Sequence, residues 1–398
     1  IILCFLYPVM NNEFETSFTV IMIAVMAIST LFEYFFGIVY NLYLQADKKY
    51  YITSYVQIFC YIFNIILVVA LIYMGASIIV VKIANTLAFI IKPLFQSYYV
   101  RKKLDIHFKE AQGEYKIDNK YDGLSQHVAY VVYSNTAVTV LTIFSNLATV
   151  AVYSVYNLVS SAIKNVVSAF SNGMDSIFGD MFARKEKDVL RRSFSIYEFL
   201  YYTVVLIFFL TAIVLIIPFI KIYTNGITDA NYIHPLFAIL LMIGGIVGCI
   251  RVIYTSLVYS IGHFKQTNFV SWIEAVVNLV LSVIGVIKFG LIGIAIGPIV
   301  STLIRLLYFM WYASKVVLER SNFINLKWLI IVTIQTVICS LLTYYVIDIN
   351  PTNYLEWALY AIVVLLIVTV LVILINIVFN YSTFKEVLEF LKEKFKRK

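Results

Sequence analysis

Charged residues are scarce. They make up 13% of the 398-residue chain, against about 25% in soluble domains. A soluble fold cannot cover its core with so few, which excludes an ordinary globular enzyme, a disordered chain and a free nucleic-acid binder. Cysteine is rare as well. Cys4, Cys60, Cys249 and Cys339 all sit in apolar stretches with no CxxC pattern, so they read as small core residues rather than a disulfide framework or a metal site. Catalytic signatures are missing: there is no GxxxxGK[ST], HExxH or GxSxG. The chain is therefore expected not to be an enzyme and to need no cofactor, with coupling to protons or sodium left open. Ile1–Pro8 itself does not read as a signal peptide, since it has neither a basic region nor a small-residue cleavage site. That opening looks like the last turns of a hydrophobic helix, so the chain is expected to be a fragment.

Apolar residues are abundant. Hydrophobic types reach 62%, with a mean hydropathy of +0.90, against about 45–50% in soluble domains. Apolar runs exceed the roughly 20 residues that a membrane helix needs. Barrel strands would give only short alternating segments. The expected fold is an all-α polytopic membrane protein. Eleven full spans are predicted, near 18–43, 51–73, 77–100, 125–148, 150–180, 195–220, 234–260, 267–287, 290–312, 328–347 and 354–380.

Basic residues orient these spans. The segments 44–50, 101–124, 181–194, 261–266, 313–327 and 381–398 carry 2, 6, 5, 1, 3 and 6 Lys/Arg, 23 of the chain's 30. The opposite side holds only Lys221 and Lys288. By the positive-inside rule the 23-residue side is cytoplasmic. Most of the net charge of +8 is thus topology. The longest loop on the outer side has about 13 residues, too short for the aqueous loops of a membrane glycosyltransferase or polymerase.

An internal repeat is visible. Tyr43–Lys103 resembles Tyr259–Lys315. Each copy opens with a short polar turn, Gln45-Ala-Asp-Lys-Lys49 or Gly262-His-Phe-Lys265. Each has a mid-span asparagine, Asn64 or Asn278, then a turn glycine, Gly75 or Gly290, then a late cation, Lys92 or Arg305. Both copies start on the same side, so the halves are expected to be related by an axis along the membrane normal. This predicts two pseudo-symmetric six-helix lobes, the first truncated at its N-terminus. The boundaries are 1–100 for the first lobe, 101–124 for a cytoplasmic linker, 125–312 for the second lobe and 328–380 for two additional helices. Residues 381–398 form a basic tail. There Thr383 and Glu386 suggest a capping box, and Phe384, Val387, Leu388, Leu391 and Phe395 form one apolar face. The tail is expected to lie on the anionic inner leaflet.

The candidate site comes from polar residues inside spans. Asn135, Thr139, Thr142 and Asn146 share a helix face. So do Asn157, Ser161, Lys164, Ser168, Asn172 and Asp175. Polar atoms facing lipid would lack partners, so each face is expected to look at protein or at a lumen. The intramembrane cations are Lys82, Lys92, Lys164, Arg251 and Arg305, opposed by Glu33 and Glu274. Each cation costs about 2.5–3.5 kcal/mol at a helix centre. Their surplus suits an anionic ligand such as a phosphate-bearing lipid or acidic sugar, with internal ion pairing as the competing account. The candidate substrate residues are Lys164, Arg251, Arg305, Lys82, Lys92, Asn135, Asn157, Asn172, Glu33 and Glu274.

Three sequence blocks carry a family resemblance: Gly262-His-Phe-Lys-Gln-Thr267 with Glu274-Ala-Val-Val-Asn278, Lys288-Phe-Gly-Leu-Ile-Gly293-Ile-Ala-Ile-Gly297, and Val152-Tyr-Ser-Val-Tyr156 with Phe178-Gly-Asp-Met-Phe-Ala183. The chain resembles bacterial polysaccharide-biosynthesis (O-antigen) flippases of the multidrug, oligosaccharidyl-lipid and polysaccharide exporter superfamily. The resemblance implies two six-helix lobes around a cleft, often with two extra helices. It implies movement of undecaprenyl-diphosphate-linked oligosaccharide to the outer leaflet by alternating access, in the bacterial cytoplasmic (inner) membrane. A glycan polymerase and glycosyltransferases are the implied partners beside the lipid bilayer, and no nucleic acid is. One departure stands out: relatives place an aspartate after Asn135-Thr136, where this chain has Ala137. A drug exporter of the same superfamily and a non-transporting subunit of a glycan-assembly complex remain alternatives.

Overall fold

The computed structural model describes residues 16–47, 49–103, 120–171, 173–345 and 350–396. All regular structure among them is helical. Ten stretches are long and apolar enough to cross a membrane. The protein is an all-α, multi-pass membrane protein. The expected remnant at Ile1–Pro8 and most of the 101–124 segment lie outside the described residues. The chain divides into two compact units, Ile1–Lys116 and Ile117–Lys398.

In the first unit, α1 (Thr16–Phe32) runs through a π-turn at Glu33–Gly37 into α2 (Ile38–Ala46). Then follow α3 (Tyr50–Tyr73) and α4 (Ile78–Lys103). Tyr40, Leu44, Ile52 and Val100 form its small buried cluster. Polar ties cross the helices: Thr86 Oγ1 donates to the Val25 carbonyl at 3.1 Å, and Gln96 Nε2 donates to Thr53 Oγ1 at 3.1 Å. Pro93 interrupts α4 and faces the π-turn, where a Cβ on Gly37 would come within 3.0 Å of the Pro93 Cβ.

The second unit holds α5 (Lys120–Phe144), α6 (Leu147–Ala169), α7 (Met174–Ala183), α8 (Lys187–Tyr223), α9 (Pro235–Ser260), α10 (Phe264–Phe289) and α11 (Leu291–Tyr312). A second π-turn, Ala313–Val317, leads to α12 (Phe323–Tyr345), α13 (Tyr354–Phe379) and α14 (Tyr381–Lys396). The 37-residue α8 is the spine. Its residues Tyr202, Val205, Leu206 and Phe209 are fully buried. α12 and α13 are tied to it through polar atoms: Gln335 Nε2 donates to Asn376 Oδ1, and Asn376 Nδ2 donates to Thr203 Oγ1, each at 2.9 Å. Such bonds hold helices together where apolar surface gives no net drive.

Three sequence expectations need correction. The span 150–180 is two helices, because Gly173 adopts φ +87° and stops the chain from continuing. The hydroxyls of Ser168 and Ser171 bond back to the Asn165 and Ser168 carbonyls, helping to close the end. Periodicity alone carried the polar face through this break. Second, the tail helix starts at Tyr381, so Thr383 lies inside its first turn and is no cap. Third, part of the tail's apolar face packs on protein. Val387 is buried, and the Phe384 ring lies 6.3 Å from that of Phe199 on α8.

Candidate functional site

Charge inside the second unit collects at one end of the bundle, the end that carries the basic loops. Three helices bring it together. Arg251 comes from α9, Glu274 from α10 and Arg305 from α11. Glu274 is buried at 1% exposure. Its Oε2 accepts from Arg305 Nη1 at 2.5 Å and lies 3.4 Å from Arg251 Nη1. Arg305 is held on other sides too. Its Nη2 donates to Tyr259 Oη at 2.8 Å, and its guanidinium sits 5.3 Å from the Phe309 ring centre. Arg251 has no such second anchor among the described residues. Two guanidiniums thus share one carboxylate oxygen, while Glu274 Oε1 and both arginine Nε atoms are buried without partners among the described residues.

Beside this triad lies a cavity of about 430 Å³. Arg251 and Arg305 form one wall, with Gln126, Tyr130, Asp175 and Tyr259 among the others. Hydrogen bonds in both directions tie α5 to α10. Gln126 Nε2 donates to the Phe264 carbonyl at 2.6 Å, Trp272 Nε1 to Ser125 Oγ at 2.9 Å, and Asn278 Nδ2 to the Tyr133 carbonyl at 3.1 Å. α10 and α11 approach so closely that a Cβ on Gly293 would lie 1.9 Å from the Gly285 carbonyl oxygen. A second cavity of the same unit, about 480 Å³, is lined by Leu158, Phe208, Phe219 and Trp357 among other apolar groups.

The remaining candidates are scattered. Lys164 on α6 makes no ion pair or hydrogen bond among the described residues, and it is not among the residues that line the cavity beside Arg251 and Arg305. Asn157 sits half-buried on the same helix without a hydrogen bond among the described residues. Asn172 lies outside the described residues. Asn135 is exposed, and its amide donates to the Val131 carbonyl of its own helix at 2.8 Å. Thr142 bonds back to the Val138 carbonyl in the same way, and Asn146 caps α6 by accepting from Thr149 N at 2.8 Å. The expected polar face of 125–148 therefore satisfies itself locally, through side-chain bonds to its own backbone. In the first unit Lys92 Nζ pairs with Glu33 Oε1 at 2.9 Å, beside a cavity of about 190 Å³ that also includes Thr30, Gln57 and Cys60. Lys82 has no ion pair among the described residues.

Sequence reasoning missed a second buried ion pair. Glu198 of α8 is 1% exposed. Arg320 grips it with both terminal nitrogens, at 2.8 and 2.7 Å. Tyr254 also donates to Glu198, and Tyr202 and Tyr254 share a hydrogen bond of 2.9 Å. The signal was present, since Glu198 is an acid within the span predicted at 195–220. Its partner lies 122 positions away in a loop, a separation that helix periodicity does not reach. The pair joins α8, α9 and the segment before α12, and it lines neither cavity described above.

No family model matches the chain, and no curated protein does. Among solved structures the chain is similar to the lipid II flippase MurJ in an inward closed conformation. The TM-score is 0.56 and the identity 16%, over 97% of this chain and 80% of that one. At that identity the likeness is one of fold: the chain shares the helical membrane architecture of a flippase of known structure.

Proposed function

We propose that this protein is a transporter that moves a lipid-linked oligosaccharide, carried on undecaprenyl diphosphate, from the inner to the outer leaflet of the bacterial cytoplasmic membrane. The observation that carries the reading is the cation excess at a cavity inside a flippase-like fold. Arg251 and Arg305 share a single buried carboxylate, and Lys164, in another helix of the same unit, has no partner among the described residues. Buried cations are costly in a membrane protein unless function retains them. A diphosphate supplies the counter-charge through strong charge-assisted hydrogen bonds. The cavity of the same unit lined by apolar side chains and Thr211 suits a hydrocarbon chain. Alternating access follows when substrate binds one facing state better than the other. Glycosyltransferases and a polymerase are the partners such a transporter would serve.

Complementation of surface glycan tests this, with membrane levels of each variant checked by blot. Lys164→Ala is expected to insert normally, because it removes a cost to the helix, and to reduce export strongly. Lys164→Arg is expected to keep part of the activity and Lys164→Glu to be worst, as charge is kept in one and reversed in the other. Normal export by Lys164→Ala at normal level would remove this residue from the substrate path. A drug exporter would instead restore resistance to organic cations, which a cation-rich site does not favour.

A further inference from the structure

We infer that Glu274 is an internal stand-in for the substrate's anion, and that Arg251 is the guanidinium that exchanges it for a diphosphate group. The inference rests on the flippase reading only for the identity of the physiological ligand. The geometry divides the two arginines. Arg305 is fixed by the short contact to Glu274, by Tyr259 Oη at 2.8 Å and by the face of Phe309. Arg251 has one long contact, 3.4 Å to the same Glu274 oxygen, and its Nε is buried and unpartnered. Its side chain is 12% exposed and lines the cavity.

An empty site must not leave a lone buried cation, which is the costly arrangement. Sharing Glu274 between two arginines avoids it. When a diphosphate enters, Arg251 turns its fork to the phosphate oxygens, which accept two parallel hydrogen bonds. Glu274 then belongs to Arg305 alone, and each cation has an anion. Asp175 lines the same cavity and forms no ion pair with either arginine among the described residues. Glu274 therefore competes with the ligand, and Arg305 weakens that competition by holding it.

This assignment has an unusual sign. Removing a charged, buried residue should strengthen binding. The test uses the full chain in detergent and in nanodiscs, with inorganic pyrophosphate as the first probe. A polyprenyl diphosphate placed in the nanodisc is the second. Arg251→Gln is expected to lower affinity for either probe about tenfold or more, the scale of one charged hydrogen-bond pair. Glu274→Gln is expected to raise it. Arg305→Gln is expected to lower it, because Glu274 is then free to close on Arg251. Asp175→Asn is the control for general electrostatics and should raise affinity less than Glu274→Gln. Binding of both probes supports a site for the diphosphate itself, and binding of the lipid probe alone supports one that reads the headgroup in the membrane. Weaker binding in Glu274→Gln, or affinity independent of Arg251 for both probes, overturns the inference. Should Glu274→Gln fail to fold, the Arg251→Gln and Arg305→Gln pair decides it, since unchanged affinity in either sinks the scheme. Arg251-dependent pyrophosphate binding with unaltered glycan export would leave the anion site standing and end the transport reading. Loss of export without Arg251-dependent binding would do the reverse.

Discussion

The two copies of the internal repeat hold their intramembrane charges in different ways. In the first unit, Glu33 and Lys92 form one pair of equal and opposite charge. The Glu33 side chain is 57% exposed and that of Lys92 13%. In the second unit, three helices each contribute a charge, two positive and one negative, and Glu274 and Arg305 are almost fully buried. The surrounding scaffold differs in the same direction. Gly285 and Gly293 let α10 and α11 touch backbone to backbone. The positions equally spaced from the first copy's turn glycine are Ala70 and Ile78. Asn278 is buried and donates to α5, whereas Asn64 keeps a buried oxygen without a partner among the described residues. A common pattern of turn, asparagine and late cation thus supports a balanced, open pair in one copy and a tight, cation-rich centre in the other.

The sharpest test of this contrast is stability. Arg305→Ala removes the short contact of a buried carboxylate and leaves Arg251 as its remaining cation. Removing one partner of a buried pair costs about 3–5 kcal/mol. Lys92→Ala removes the partner of Glu33, whose side chain is 57% exposed rather than buried, and its cost should be the smaller of the two. Thermal unfolding of the two variants in detergent should separate them clearly. Equal shifts would mean that the two copies hold their charges alike.

Packing gives the next largest difference. Gly293→Val must push two helix backbones apart, and overpacking of this kind costs about 1–3 kcal/mol. Ile78→Val, at the matching place in the first unit, removes one methylene from a half-open site and should cost less than about 1 kcal/mol. A smaller version of the same comparison uses the asparagines. Asn278→Ala loses a hydrogen bond to α5 worth about 1 kcal/mol. Asn64→Ala removes an amide whose oxygen has no partner among the described residues, and it should be close to neutral. A loss at Asn64 as large as at Asn278 would show that the copies are more alike than their contacts suggest.

The helical class was legible because scarce charge and long apolar runs leave no other membrane solution. The charge of the candidate site was partly legible. Arg251, Arg305 and Glu274 stood out as ions in apolar spans, and helix spacing placed each on its element. Their grouping was not legible, because it depends on how α9, α10 and α11 rotate against one another. The polar face of 125–148 stayed open between protein and lumen for a related reason: Asn135 and Thr142 bond back to their own helix, which is compatible with either surrounding. The break at Gly173 was hidden because a glycine inside a periodic run is tolerated in many helices, and only its φ of +87° reveals the stop.

The smallest expected effect lies in the turns that open the two copies. In the second copy His263 sits between α9 and α10, with Nδ1 3.0 Å from Tyr312 Oη. Burial pushes its pKa below the ordinary 6.5. The unfolded chain therefore takes up a proton before the folded one does. The stability that depends on neutral His263 is complete above about pH 6.5 and is lost as pH falls through the lower folded value. In the first copy the turn holds Lys49 against Asp47 at 2.7 Å, and that hydrogen bond raises the lysine above 10.5. Its contribution is complete below the ordinary lysine value and is lost as pH rises through the raised one. The two turns should thus respond at opposite ends of the pH scale. His263→Gln is expected to flatten the fall in unfolding midpoint between about pH 7 and pH 5 and to leave the alkaline limb alone. Asp47→Asn is expected to change only the alkaline limb, and by less, since both partners are a third exposed. An acid limb that persists unchanged in His263→Gln would assign that limb to other groups and remove the histidine from the comparison.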